Sequence, residues 1–332
     1  MSEPRLCIVG AGGLSTRRIY PNIGAAGARL VGVCDLDADK AAANARRFGG
    51  KPYTDMHAML DAERPDGVII CIGPEPHARL AIEVMRRGLP VYTEKPPAPT
   101  AADALRVARV AKQTGLLCIT AFKKRYSTAY VRARQWVEQF EPDRLLSLSV
   151  DYASAKYADD PARPDRRFLL DFAIHQIDLV GYLFGDAAEV FAFAKGSHAY
   201  AVALRFQSGA VGSMNLNDGR SFSIPTEEVE LTAEDGNFMT VHNSSCWRIV
   251  ADGKATEWRE PPTFTSAGDS GNDTGHLAEL VEFASAVAQK RTTTRSHIYE
   301  GYKSLVLYEA IQRAADTGKA VPVAYQPLDE GA

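Results

Sequence analysis

Between residues 5 and 122, short apolar runs take turns with helical stretches, and that alternation restricts the fold more than any other feature of the chain. The runs are RLCIVG, RLVGVCD, DGVIICIG, LPVYTEKP and LLCITAF. Between them lie GAGGLS with the stretch behind it, DADKAAANARRFG, PHARLAIEVMRRG and AADALRVARVAKQTG. Apolar runs of this length between amphipathic helices are buried on both faces, which requires a parallel sheet with helices above and below. An α/β domain of the dinucleotide-binding type is expected over residues 1–121.

After about residue 122 the rhythm changes. RLLSLSVDY, AEVFAFAKG, AYAVALRF, AVGSMNLN, EEVELTAE and FMTVHN alternate apolar and polar residues. A period of two gives strands with one buried and one wet face. They predict neighbouring, mostly antiparallel strands of one large open sheet. LLDFAIHQID, HLAELVEFASAVAQ and IYEGYKSLVLYEAIQRAAD predict long helices beside it. Residues 122–332 are therefore expected to form an α+β domain built on that open sheet.

A chain of 332 residues is ample for two cores. Its net charge of -3 argues against a nucleic-acid surface or a basic membrane-binding face. No run approaches the ~18–20 apolar residues of a membrane span. MSEPRLCIVG enters a strand without the zones of a signal peptide. Cys7, Cys34, Cys71 and Cys118 sit in apolar runs, Cys246 makes the count odd, and no Cys-x-x-Cys occurs. Reduced thiols in a cytoplasmic protein are expected, with no metal site.

Gly10, Gly12 and Ser15 stand where G-x-G-x-x-G would, after a strand and at the start of a helix. Gly10 permits the tight turn, and Gly12 lets the backbone approach a pyrophosphate resting on the helix N-terminus. Gly13 adds flexibility and Leu14 completes the loop. Ser15 in the third glycine's place predicts slightly looser helix–strand packing. A plain tight turn explains such a motif about as well, but Asp35 ends the second strand 25 residues after Gly10, near the expected ~20. A carboxylate there accepts from ribose hydroxyls and repels a 2′-phosphate. No Arg follows directly, so NAD is expected in preference to NADP.

Thr93–Pro97 read TEKPP at a strand end, where open α/β sheets bind ligands. Lys95, held between Glu94 and Pro96, is poorly placed for ordinary surface solvation. In LLDFAIHQID a continuous helix would put Asp171, His175 and Asp178 on one side, with Leu170, Ile174 and Ile177 pressing an adjoining strip into a core.

Taken together, the GAGGLS loop, Glu94-Lys95-Pro96, VIICIGPEPHARLAIEVMRRGLPVYTEKPPAPT, TAFKKRY and LLDFAIHQIDLVGYLFG resemble the Gfo/Idh/MocA family over nearly the whole chain. The resemblance implies a Rossmann domain, then a domain with a large open sheet commonly used for oligomerisation. It also implies a catalytic lysine in E-K-P and a downstream D-x-x-x-H, matched here by Lys95, Asp171 and His175. Ser15, Ala173 and the RRFLLD lead-in depart from many members, which bears on substrate identity more than on hydride transfer.

The implied chemistry suits these residue types. Alcohol oxidation needs a base for the hydroxyl proton while hydride leaves the same carbon, and histidine suits that exchange. Asp171 orients the imidazole or binds a neighbouring hydroxyl, and Lys95 donates to the reacting oxygen. Ile72, Pro74, His77, Glu94, Lys95 and Lys123 are candidate cofactor contacts. Lys123, Lys124 and Arg125 follow the last strand of the first domain, where one of them reaches the cofactor or an anionic group, or all are solvated. Tyr152, Lys156, Tyr157, Arg163, Arg166 and Arg167 precede the catalytic segment and are candidates to read a substrate. Asn215, Asn217 and His276 are weaker pocket candidates.

The expected reaction is NAD-dependent oxidation at a secondary hydroxyl or lactol of a sugar, cyclitol or sugar derivative. One alternative keeps NAD tightly bound and oxidises then re-reduces the substrate around an elimination, epimerisation or glycoside cleavage. Another is a non-catalytic NAD-binding sensor. A small-molecule carbohydrate or polyol partner and a homodimer or homotetramer are expected.

Overall fold

The computed structural model describes residues 3–155, 168–221, 224–260 and 273–328. In chain order the first elements are β1 (Arg5–Val9), β2 (Arg29–Cys34), α1 (Ala38–Phe48), β3 (Lys51–Tyr53), α2 (Met56–Glu63), β4 (Gly67–Ile70), α3 (Pro74–Arg86), β5 (Val91–Thr93), α4 (Ala101–Thr114) and β6 (Cys118–Thr120). Then come α5 (Thr128–Val137), β7 (Leu145–Ala153), α6 (Phe168–Asp171), α7 (Ile174–Phe184), β8 (Ala187–Lys195), β9 (Ala199–Phe206) and β10 (Val211–Asn217). They are followed by β11 (Thr226–Ala233), β12 (Asn237–His242), β13 (Cys246–Ala251), β14 (Lys254–Arg259), α8 (His276–Ala288), α9 (Ile298–Thr317) and β15 (Val321–Pro322).

Two compact units form, one from residues 1–123, 276–302 and 327–332, the other from 124–275 and 303–326. In the first, six parallel strands lie in the order β3-β2-β1-β4-β5-β6. The order reverses between β1 and β4, and the carboxyl ends of these strands are where such a sheet receives a ligand. The two elements that sequence periodicity missed, β3 and α2, are too short to show one. Asp37 caps α1 by accepting from Asp39 N–H and Lys40 N–H. The four strand cysteines are buried, as their apolar surroundings suggest.

The expected boundary at 121/122 lies two residues before the first break between units. Residues 276–302, however, return to the first unit. The reason is in HLAELVEFASAVAQ: Leu280, Phe283 and Val287 are one helical stripe, and they bury against Leu6, Ile8, Ile69 and Tyr92 of the parallel sheet. The first turn of α9 approaches β6 so closely that a Cβ on Gly301 would lie 2.6 Å from Thr120 Oγ1 and 3.1 Å from Pro97 Cγ.

The second unit holds a nine-stranded sheet, β14-β13-β12-β11-β7-β10-β9-β8-β15. β7 and β10 pair in parallel and the other neighbours antiparallel. Leu148, Val150, Val202, Leu204, Met214, Leu216, Val229 and Leu231 are buried on one face. On the other, Phe193 and Val211 are more than half exposed. β13 and β14, CWRIVA and KATEWR, escaped sequence reading because Trp and Arg blur the alternation.

LLDFAIHQID is not one helix. α6 ends at Asp171 and α7 begins at Ile174. Ala173 N–H reaches back five residues to Phe168 O at 3.1 Å, and His175 N–H reaches only Phe172 O at 3.3 Å. This wider turn accompanies aromatic packing of Phe168 on Tyr152 and Phe172. The expected common side for Asp171, His175 and Asp178 is therefore corrected: Asp171 and His175 sit on separate segments, half-buried, and Asp178 points into the core. Ile174 and Ile177 are buried as expected, while Leu170 is only half-buried.

Candidate functional site

In the first unit, the glycine loop leaves β1 beside the end of β4. Gly10 has φ 105°, and a Cβ there would lie 2.0 Å from Cys71 O, so this turn admits only glycine. Gly10 N–H donates to Cys34 O at 2.7 Å, and Tyr20 Oη donates to Gly10 O at 3.1 Å. The next two glycines differ: a Cβ on Gly12 would meet nothing within 4 Å, and one on Gly13 only Arg17 at 3.8 Å. The loop is thus anchored beneath and open above. Leu14 is 40% exposed at its end.

Ser15 is fully buried and donates from Oγ to Gly12 O at 3.0 Å, which ties the loop instead of loosening it. The helix behind it is a π-helical stretch, Ser15–Ile19, followed by a 3-10 turn, Tyr20–Asn22. Asp35 holds the loop from the end of β2: Ala11 N–H donates to Oδ2 at 2.7 Å and Asp37 N–H to Oδ1 at 2.9 Å. Each oxygen keeps a lone pair for a further donor. A loop that is open at Gly12 and Gly13, with a carboxylate at the next strand end, fits a dinucleotide.

At the end of β5, Glu94 N–H donates to Ile70 O at 2.9 Å, and the Lys95–Pro96 peptide is cis. Glu94 is buried, and burial raises its carboxyl pKa against the field of Lys95. Lys95 is half-buried, and its N–H donates to Glu94 Oε2 at 3.1 Å. Ile72 and Pro74 lie half-buried at the end of β4 and the start of α3. Burial raises the pKa of both Glu94 and Glu279, and the charge of Lys123, also half-buried, partly opposes that rise.

His77 sits beneath this loop. Its Nδ1 lies 2.9 Å from Pro96 O, and its Nε2 accepts from Ile72 N–H at 3.4 Å. The proton therefore belongs on Nδ1. Burial pulls its pKa down to about 4. With no exposure and both nitrogens engaged, His77 braces the strand ends instead of contacting a cofactor.

Sequence reading missed Tyr92 and Glu279, which meet in the core at 2.8 Å. Burial pushes the Glu279 carboxyl well up, and Glu94 adds to the shift. The signal was available: one helical turn separates Glu279 from Phe283, on the face that carries Leu280.

In the second unit, Asp171 closes α6, His175 stands in the first turn of α7, and both are half-buried. Tyr152 stacks on Phe168, with Lys124 Nζ 5.9 Å from its ring centroid. The reading of Lys124 and Arg125 as solvated or ligand-seeking is corrected. Both are buried in ion pairs that need no ligand. Lys124 pairs with Glu227, which also accepts from Tyr130 at 2.5 Å, Ser244 at 2.7 Å and Gln176 Nε2 at 2.6 Å. Burial alone raises the Glu227 pKa, but Lys124, Tyr130 and Ser244 bring it down to about 2. Arg125 grips Asp178 with Nε at 2.9 Å and Nη2 at 2.8 Å, and Ser304 donates to the same carboxylate at 2.9 Å.

Asn215 is also corrected: it is exposed on the open sheet face and donates to Asp151 at 3.1 Å. Asn217 Oδ1 accepts from Gly219 N–H at 3.1 Å, and His276 is buried at the start of α8 in the first unit. Lys156, Tyr157, Arg163, Arg166 and Arg167 lie outside the described residues. Among the described residues no His, Cys, Asp and Glu group is arranged to hold a metal ion, and no helix is long and apolar enough to cross a membrane.

Comparison with known proteins agrees with this architecture. The model of an oxidoreductase family's NAD-binding Rossmann fold matches residues 5–122, and that of its C-terminal alpha/beta domain matches residues 159–324. Inositol 2-dehydrogenase 2 of Paenarthrobacter aurescens is 26% identical over 347 residues, covering 97% of this chain and 99% of the relative. A protein of the same name from Saccharopolyspora erythraea is 30% identical over 162 residues, spanning 48% of this chain and 47% of the relative. Among solved structures, levoglucosan dehydrogenase in complex with NADH and L-sorbose shares the fold, with TM-score 0.85 and 21% identity over 98% of this chain and 100% of that one.

Proposed function

The chain belongs to the Gfo/Idh/MocA oxidoreductase family, and we propose that it transfers hydride between NAD and a hydroxyl-bearing carbon of a sugar, cyclitol or sugar derivative. One observation carries the reading. The first unit combines an open glycine loop, a carboxylate at the end of β2 and a lysine at the end of β5. The relative from Paenarthrobacter aurescens, matched over almost its whole length, is named for inositol oxidation.

The loop from Gly10 to Ser15 holds the pyrophosphate, and Asp35 accepts from the adenosine ribose. When bound, the nicotinamide supplies the hydride acceptor. Lys95 donates to the reacting oxygen and favours its alkoxide form by charge. His175 takes the hydroxyl proton, and Asp171 orients the imidazole or binds a neighbouring hydroxyl.

An absorbance screen at 340 nm with NAD against inositols, monosaccharides, sugar acids, sugar phosphates and nucleotide sugars tests the reading. Steady NADH formation with at least one polyol or sugar is expected. Substrate turnover without NADH accumulation would point to transient redox, and NAD binding with no turnover of any panel member would point to a sensor.

A further inference from the structure

Two consecutive residues, Lys124 and Arg125, open the second unit, and their ion pairs reach the same helical turn. Glu227, paired with Lys124, holds Gln176, while Arg125 holds Asp178 directly. We infer that Lys124 with Glu227 and Gln176, and Arg125 with Asp178, are positioning residues for His175, fixing the rotation of the first turn of α7. This inference rests on the reading of His175 as the base.

The backbone alone defines that turn poorly. α7 starts without a side-chain cap, next to the wide turn closed by Ala173 N–H on Phe168 O. The side chains supply what is lacking. Residues 176 and 178 are about 200° apart around a helix, so their ties pull from different directions. The Arg125–Asp178 pair is bidentate, which fixes an angle as well as a distance.

Stability is a weak reason for this arrangement. Buried ion pairs are often matched or surpassed by apolar residues of similar size, because desolvation offsets their attraction. Gln176 is fully buried, yet among the described residues its Oε1 finds no donor. An apolar residue there would avoid that cost. What the polar set supplies is direction. A side-chain atom about 5 Å from a helix axis moves by about 2 Å when the helix turns by 20°. Misplacement of a reacting group by about 1 Å is enough to cost ~10²-fold in rate.

The test compares Q176L, D178N, E227Q and E227L with R132Q, which breaks the Arg132–Glu257 pair between α5 and β14. Two readouts are taken on the full chain. In histidine-labelled NMR spectra, the His175 ring resonance, assigned by its absence in H175A, is expected to shift or broaden in Q176L and D178N. It should stay put in R132Q. In kinetics with NAD and myo-inositol, Q176L and D178N should lose ~10-fold or more in kcat, with NAD affinity within about twofold of the parent. E227Q, whose amide oxygen still accepts from Gln176, should keep more of kcat than E227L. An unmoved resonance in Q176L and D178N overturns the inference, as does an equal disturbance in R132Q. If Q176L does not fold, D178N and the E227Q–E227L pair carry the same test. H175A that retains turnover overturns the assignment of the base instead, and the resonance then still reports whether the turn is held.

Discussion

His77 Nδ1 and the carbonyl oxygen of Pro96 lie 2.9 Å apart across 19 residues of chain, both buried beneath the loop that carries Lys95. The imidazole is neutral in this arrangement, because its Nε2 accepts from Ile72 N–H. Burial is the main reason its pKa falls from the ordinary 6.5 to about 4. Between those values the unfolded chain binds more protons than the folded one. Stability is therefore complete above about 6.5 and declines as pH falls toward about 4. The difference integrates to about 3 kcal/mol. H77N should be less stable at pH 7.5, and its unfolding free energy should depend less on pH between 4 and 6.5. Urea melts across that window check it. An H77N profile as steep as the parent's would contradict the neutral, buried imidazole.

Glu227 titrates with the opposite charge logic. Its carboxyl is held at about 2, below the ordinary 4.5. The stability it contributes is present above about 4.5 and is lost as pH falls through about 2. Removing it at neutral pH leaves Lys124 buried without its carboxylate, which typically costs about 3–5 kcal/mol. K124M/E227L removes both charges and should cost less than E227L alone. Thermal or urea unfolding of the parent, K124M, E227L and K124M/E227L decides it, and additive losses would show that the two residues act independently.

The parallel sheet could be read in advance because each strand is a continuous apolar run, buried on both faces. The glycine loop and Asp35 could be read because only glycine tolerates the contact with Cys71 O and because the strand–turn–helix context is local. Other features depend on the tertiary fold. Lys124 and Arg125 look like surface charges until Glu227 and Asp178, 103 and 53 residues away, are brought to them. Glu227 did leave a trace. In TEEVELTA the period of two places it with Val229 and Leu231 on the inward face, whereas Glu228 and Glu230 face outward. The break at Phe172–Ala173 left none, since its helical periodicity continues through the interruption.

Cofactor choice should follow Asp35. Its oxygens are fixed by Ala11 N–H and Asp37 N–H, so the carboxylate cannot swing away from a 2′-phosphate without releasing the loop. NAD should bind more tightly than NADP, and D35S/L36R should reverse the order by replacing repulsion with a cation. Calorimetric titration of both nucleotides measures this. Tighter NADP binding to the parent chain would refute it.

The open face of the nine-stranded sheet should be an association surface. Phe193 is 67% exposed, Val211 54%, and Phe191 packs edge-on to Phe193. Exposed aromatic and aliphatic side chains on one sheet face favour burial against a partner. A homodimer or homotetramer is expected by light scattering at micromolar concentration. F193E/V211K should shift it toward monomer, and a monomeric parent chain would remove the case for this surface.

Division of labour between Lys95 and His175 should be separable from cofactor binding, because the glycine loop proposed to receive the phosphates contains neither residue. H175A should lower kcat by ~10²–10⁴-fold, the usual cost of losing a general base, while NAD affinity stays nearly unchanged. K95A should also lower kcat, because the proposed role of Lys95 is to stabilise the developing alkoxide by charge. If both act on one oxygen, K95A/H175A should lose far less than the product of the single losses. In the parent, kcat/KM for oxidation should rise with pH through one ionisation, and that limb should be absent in H175A. Strictly multiplicative losses would mean that the two residues act on separate steps. Persistence of the limb in an active H175A would move the base to another group, with Lys95 the first to test and Asp171 the second.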